Sequence, residues 1–201
     1  GLLARLDPPE PVRRYQRDRP RELIHLDIKK LGGFDQPGHR VTRTRVGCRN
    51  RGAGWDFVHV AVDDATRLAY VEVLENERKD TTTGFLLRAL RWFRARGIRV
   101  ERVMTDNGSA YRPRRFAKAL RLLAIRHIFT RPYTPKTNGK AERFIQTTLR
   151  EWAYARPYGS SDERAAAIKP WTENYNLRRP HSGIKGLTPW SRVNNLLGND
   201  S

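Results

Sequence analysis

The chain has 201 residues and carries 40 Lys+Arg against 21 Asp+Glu, a formal net charge of +19 at pH 7. It is long enough to bury one core, no apolar run approaches the ~18 residues of a membrane span, and no signal-peptide core opens it. A single cysteine, Cys48, excludes an intrachain disulfide framework and a cysteine-based zinc finger, and fits a reducing, intracellular setting.

The cations are 32 Arg and 8 Lys. Arginine forks onto phosphate with two parallel hydrogen bonds, so this balance points to nucleic acid. GC-rich coding bias gives the same composition, and an anionic membrane fits less well because no helix reads as a basic surface anchor.

Residues 1–20, with Pro8, Pro9, Pro11 and Pro20 among five arginines, read as a linker. Glu22 to Ile28 alternates loosely and predicts a strand. Residues 35–54 hold four glycines and five arginines with no acid after Asp35, which makes a basic loop. Trp55 to Val62 and Leu68 to Leu74 predict two further strands, joined by an Asp63-Asp64 turn. Asp80 to Arg96 predicts a helix with Phe85, Leu86, Ala89, Leu90 and Phe93 on its apolar face, ended by Gly97. Val100 to Thr105 is a fourth strand, Arg114 to Ala124 a helix, and Ile125 to Thr130 a fifth strand. Past the loop Arg131 to Thr137, helices are predicted over Asn138–Ala155 and Asp162–Asn176. The order βββαβαβαα is a meander joined to crossover units. It predicts an α/β fold, a mixed five-stranded sheet with helices on both faces. The core is expected over 21–193 and a tail over 194–201.

Three acids can meet. Asp106 ends the fourth strand, where open α/β sheets place their ligands, although Asp-Asn-Gly is also ordinary turn chemistry. Glu142 sits at the edge of the helical stripe Ala141, Ile145, Thr148, Leu149 and Trp152, positioned either over the sheet or in solvent. The third comes from the meander. If the fourth strand lies parallel beside the first, the Asp63-Asp64 turn falls at the opposite sheet edge from Asp106, so mid-strand Asp27 is the better choice. Three carboxylates about 4 Å apart would repel by roughly 4 kcal/mol per pair at an effective dielectric near 20, and so require cations. An all-oxygen set selects Mg²⁺ or Mn²⁺, and two such ions suit in-line phosphoryl transfer.

The runs His25-Leu26-Asp27, Thr105-Asp106-Asn107-Gly108 and Pro132 to Phe144 (PYTPKTNGKAERF), with 35 residues between Asp106 and Glu142, together resemble the integrase catalytic core of retroviral integrases and DDE-type transposases. Tyr175-Asn176, Arg179-Pro180-His181 and Gly186 to Pro189 resemble the bacterial insertion-sequence branch. The resemblance spans about residues 20–193. It implies a ribonuclease-H-like fold, catalytic and metal-binding roles for Asp27, Asp106 and Glu142, two Mg²⁺ or Mn²⁺ ions, and DNA cutting and joining. It also implies a homodimer or higher multimer that pairs two DNA ends. Members of the family usually carry an N-terminal reader domain, and residues 1–20 resemble the linker that follows one.

Beside the trio, Arg40, Arg43, Arg45, Arg49 and Arg51 offer a track for a DNA backbone, or form a solvated hairpin. Tyr133 either stacks on a splayed base or packs under its loop. Lys136, Lys140, Arg143 and Arg150 are further candidate DNA contacts. Asn107 either orients the reacting groups or caps the following segment. His25, His59 and His127 read as core or sheet-face residues, His181 as a turn residue, and Trp152 and Trp171 as core. The expected activity is that of a DNA transposase or integrase core, a polynucleotidyl transferase. The rivals are a metal-dependent nuclease on the same fold and a non-catalytic DNA-binding remnant. The expected location is the bacterial cytoplasm, at the nucleoid, with no membrane partner.

Overall fold

A computed structural model of the protein describes residues 20, 22–36, 53–130 and 138–198. The sheet has five strands: β1 (Ile24–Gly32), β2 (Trp55–Asp63), β3 (Ala69–Leu74), β4 (Arg102–Thr105) and β5 (Arg126–Phe129). Their spatial order is β3-β2-β1-β4-β5. β1, β2 and β3 pair antiparallel, with His25 opposite Val62 and Asp27 opposite Val60. β4 joins β1 in parallel, with Ile24 opposite Val103 and His25 opposite Met104, and β5 joins β4 in parallel. This is the mixed sheet that the order of elements predicts, with the fourth strand beside the first.

Strand alternation sorts side chains between two layers. Ile24, Leu26, Ala61 and Val103 face one core, closed by α1 (Lys79–Arg94), α2 (Arg114–Leu122) and α6 (Pro189–Leu197). That layer holds Phe85, Leu86, Ala89 and Phe93 of α1, Phe116 and Leu120 of α2, and Val193 of α6. Gly97, at φ 76°, ends α1, and the Ile98 N–H returns to the Phe93 carbonyl at 3.0 Å. Leu31, Val58, Val60 and Val62 face the second core, against α3 (Gly139–Thr148) and α5 (Ile168–Arg178). Helices therefore cover both faces of the sheet.

The long helix expected after Asn138 is α-helical to Thr148 and then widens into a π turn over Leu149–Ala153. There the Tyr154 N–H reaches back to the Leu149 carbonyl at 3.0 Å. The wide turn drops Trp152 into the second core at 1% exposure, its indole N–H donating to the Arg164 carbonyl. The next helix is broken at Ala167 into α4 (Ser161–Ala166) and α5. α6 runs to Leu197, past the boundary expected at 193, and Leu197 packs on the first core.

Candidate active site

The parity that buries Ile24 and Leu26 turns His25 and Asp27 to the α3 face. The β1–β4 register pairs His25 with Met104; continued by two residues, it sets Asp27 level with Asp106 just past the end of β4. The Asp106 carboxylate is folded into an Asx turn, Oδ1 accepting the Gly108 N–H at 2.9 Å. The Thr105 hydroxyl donates to the Asp106 carbonyl at 2.8 Å and lies 3.0 Å from His127 Nε2. The Asn107 amide donates to the Thr130 carbonyl at 2.8 Å, so its side chain ties the exits of β4 and β5 together.

Glu142 stands on the first turn of α3, its N–H donating to the Asn138 carbonyl at 3.1 Å. Ala141, Phe144, Ile145 and Thr148 are buried against the sheet, while Glu142 and Arg143 are exposed. Asp27, half-buried, registers both other acids. Its pKa is pushed up to about 6, first by burial, then by the charges of Asp106 and Glu142, against the Ile28 N–H bond at 2.7 Å and the Lys29 charge. The three carboxylates thus occupy one electrostatic neighbourhood. Among the described residues no three His, Cys, Asp or Glu side chains are gathered tightly enough to form a ready metal shell. The donor chemistry fits a divalent cation: three hard oxygen ligands, one held back from ionising first by burial and then by the charge of the other two.

Behind the acids lies a buried polar network that sequence reasoning does not identify. His25 Nδ1 is 3.0 Å from Asn138 Oδ1, and His25 Nε2 is 2.7 Å from Asp64 Oδ1. Lys140 Nζ lies 2.5 Å from the same Asp64 oxygen, and burial holds its pKa below the usual lysine value. The Lys140 ammonium is therefore turned to the turn after β2. Asp63 caps that turn, accepting the Thr66 N–H and hydroxyl at 2.8 and 2.7 Å. His59 is fully buried and bonds the Asn76 carbonyl at 3.0 Å. The His181 carbonyl accepts from the Ile184 and Gly186 N–H groups and so closes the last turn before α6. Arg179 forks onto Glu151 at 2.9 and 2.7 Å, fastening this turn to the π segment.

The remaining candidates divide by position. Arg150 is exposed and 3.1 Å from Glu151. Arg40, Arg43, Arg45, Arg49, Arg51, Tyr133 and Lys136 lie outside the described residues.

A mixed five-stranded sheet in this order, with helices on both faces, is the fold of the retroviral integrase catalytic cores that this chain superposes on. Models of the integrase core domain match residues 17–135 and 123–189, and the chain belongs to that family. It is 35% identical over 89 residues to an insertion element IS136 uncharacterized protein of Agrobacterium fabrum, covering 43% of this chain and 44% of that one. It is 31% identical over 86 residues to a putative transposase InsD for insertion element IS2E of Escherichia coli, covering 43% and 39%. The matches thus span under half the length of these curated relatives. The HTLV-2 integrase catalytic core domain, solved in complex with magnesium in a dimeric form, superposes with a TM-score of 0.61 at 19% identity, covering 88% of this chain and 99% of that one. A simian T-cell lymphotropic virus intasome chain gives 0.66 at 21% identity, covering 89% and 56%. The fold is ribonuclease-H-like. No described helix is long and apolar enough to cross a membrane.

Proposed function

We propose that this chain is the catalytic core of a DNA transposase, cutting DNA strands and joining them by metal-dependent in-line phosphoryl transfer. The observation that carries the reading is the β1–β4 register that sets Asp27 level with Asp106; the charges of Asp106 and Glu142 add to burial, the larger cause, in raising the Asp27 pKa. Asp27, Asp106 and Glu142 would hold two Mg²⁺ or Mn²⁺ ions, which when bound supply hydroxyl activation and stabilise charge on the leaving oxygen. The protein's part is placement. The Asx turn aims Asp106, β1 holds Asp27 level with it, and α3 brings Glu142 over the sheet. Water would attack the phosphodiester at the element end, freeing a 3′-hydroxyl on the element and a 5′-phosphate on the flank. That hydroxyl would then attack a target phosphodiester, forming the new P–O bond as the target's own 3′-oxygen leaves and takes up a proton. Arg143, Arg150, Lys140, Arg40, Arg43, Arg45, Arg49 and Arg51, with Tyr133 and Lys136, contact DNA in this reading. The working form is a dimer or larger assembly that pairs two ends, in the bacterial cytoplasm.

Supporting this over a stand-alone nuclease are the bacterial insertion-element relatives. The test is incubation of a pre-cut DNA end, a supercoiled plasmid and Mg²⁺ with the protein. Joined products support the transposase. Nicking without joining favours the nuclease, and neither activity leaves a DNA-binding remnant.

A further inference from the structure

We propose that Asn138 is a positioning residue, locked by His25, that sets where Glu142 stands relative to Asp27. The inference rests on the reading of Asp27, Asp106 and Glu142 as the metal-holding trio.

Asn138 is 5% exposed and His25 2%. The Asn138 amide nitrogen donates to the Leu26 carbonyl at 3.3 Å. A carbonyl only accepts, so the amide has one workable orientation, with Oδ1 facing the His25 Nδ1–H at 3.0 Å. The two β1 groups that grip Asn138 thus belong to the two residues immediately before Asp27. The backbone carbonyl of Asn138 in turn accepts the Glu142 N–H at 3.1 Å. One buried side chain therefore runs from the neighbours of the first acid to the amide of the third, with a single hydrogen bond at each step. A second polar tie from this turn, Lys140 to Asp64 at 2.5 Å, runs to the loop after β2 and reaches β1 only through the Asp64 contact with His25. His25 itself is held from its other side by Asp64 Oδ1 at 2.7 Å. The arrangement fixes the α3 start to β1 without using either carboxylate as a link; the Asp27 Oδ1 bond to the Ile28 N–H is separate from it. The oxygens of a metal shell must be placed within a few tenths of an ångström, and groups that orient ligands typically change metal affinity or activity by about 10–100-fold when removed.

The test compares wild type with Asn138→Ala, His25→Gln and the double variant; Asn138→Ser, which keeps a hydroxyl, replaces the alanine variant if that one does not fold. Three quantities are read: Mn²⁺ binding to the protein alone by electron paramagnetic resonance, amide exchange over residues 139–145, and kcat and KM for joining a pre-cut end. The expected result for Asn138→Ala is Mn²⁺ affinity weaker by about 10–100-fold, with faster exchange confined to the first turn of α3. A matching loss falls in kcat, while KM for DNA moves less than about threefold. The double variant is no worse than the worse single one, because both act through one contact. Mn²⁺ affinity within about twofold of wild type in a folded Asn138→Ala protein, or protection lost evenly across the whole sheet, overturns the proposal. If wild type binds Mn²⁺ but joins nothing, the transposase reading fails and the Mn²⁺ comparison still decides the role of Asn138. If wild type takes up no Mn²⁺, both fall.

Discussion

A Cβ built on Gly108 would lie 2.9 Å from Asp106 Oδ1, the oxygen that accepts the Gly108 N–H. Residue 108 has ordinary negative φ, −58°, so its lack of a side chain is required by the carboxylate and not by the backbone. Gly108→Ala should push the Asp106 carboxylate out of its turn. The atom displaced is a side-chain end, so folding stability should fall by less than about 1 kcal/mol. Joining activity should fall about 10–100-fold, the scale of a misplaced catalytic group. Thermal melting beside the joining assay checks both; an unaltered rate would mean that the Asp106 turn is not the catalytic geometry.

Asp27 should destabilise the metal-free protein at neutral pH. Its pKa is raised from 3.8 to about 6 in the folded state, burial being the main cause. Well below pH 3.8 the acid is neutral in both folded and unfolded chains and costs nothing. As pH rises through 6 the folded protein must ionise it, and stability falls, by about 2–3 kcal/mol in all. Asp27→Asn should therefore match wild type near pH 3.5 and exceed it at pH 7.5, the gap shrinking when Mg²⁺ is added. Urea unfolding at the two pH values measures this.

Arg164 should be the costliest surface-adjacent cation to remove. Its side chain, 4% exposed, donates to the Asp56 carboxylate and to the Gly32 carbonyl, each at 2.7 Å. It also lies over the Phe34 ring, 4.8 Å from the centroid. It clamps α4 to the far end of the β1–β2 pair, where the basic loop leaves the sheet. Arg164→Leu should cost about 3 kcal/mol, since Asp56 is left without its cation, and Asp56→Asn clearly less. Equal losses would show that packing, not the ion pair, carries the clamp.

DNA binding should be tight at low salt and largely indifferent to sequence, given the charge of +19. If six to ten phosphates are contacted, affinity drops about 10³–10⁵-fold between 50 and 200 mM salt. Fluorescence anisotropy on two unrelated duplexes tests both statements, and a flat salt response would assign the charge another purpose.

Much of this geometry is written locally in the chain. Strand alternation and the crossover order put β4 beside β1, which sets Asp27 level with Asp106, while Asp63 and Asp64 cap and anchor a turn beside the start of β1. The π turn at Leu149–Ala153 is not legible, because its sequence has the same helical periodicity as the turns before it; the widening is imposed by Trp152 reaching Arg164 across the second core. α6 had a signal in Thr188 and Pro189 at its start and Gly198, φ 71°, at its end. Thr188 and Pro189 stand out first as part of a family motif, which hides their capping role. The His25–Asn138 contact spans 113 positions. A buried histidine on a strand reads as core until the partner's place in space is known, and the Lys140 pairing with Asp64, 76 positions away, is hidden for the same reason.

The central claim is that Asp27, Asp106 and Glu142 act together to join DNA, and Glu142 tests it most cleanly because it is exposed on α3 and contributes little to the core. The measurement is strand joining of a pre-cut end into plasmid by wild type and Glu142→Gln at saturating Mg²⁺, with melting temperatures recorded in parallel. The account predicts equal melting temperatures and joining reduced at least about 10³-fold, since an anionic metal ligand is lost while shape is kept. Joining within a few-fold of wild type would contradict it.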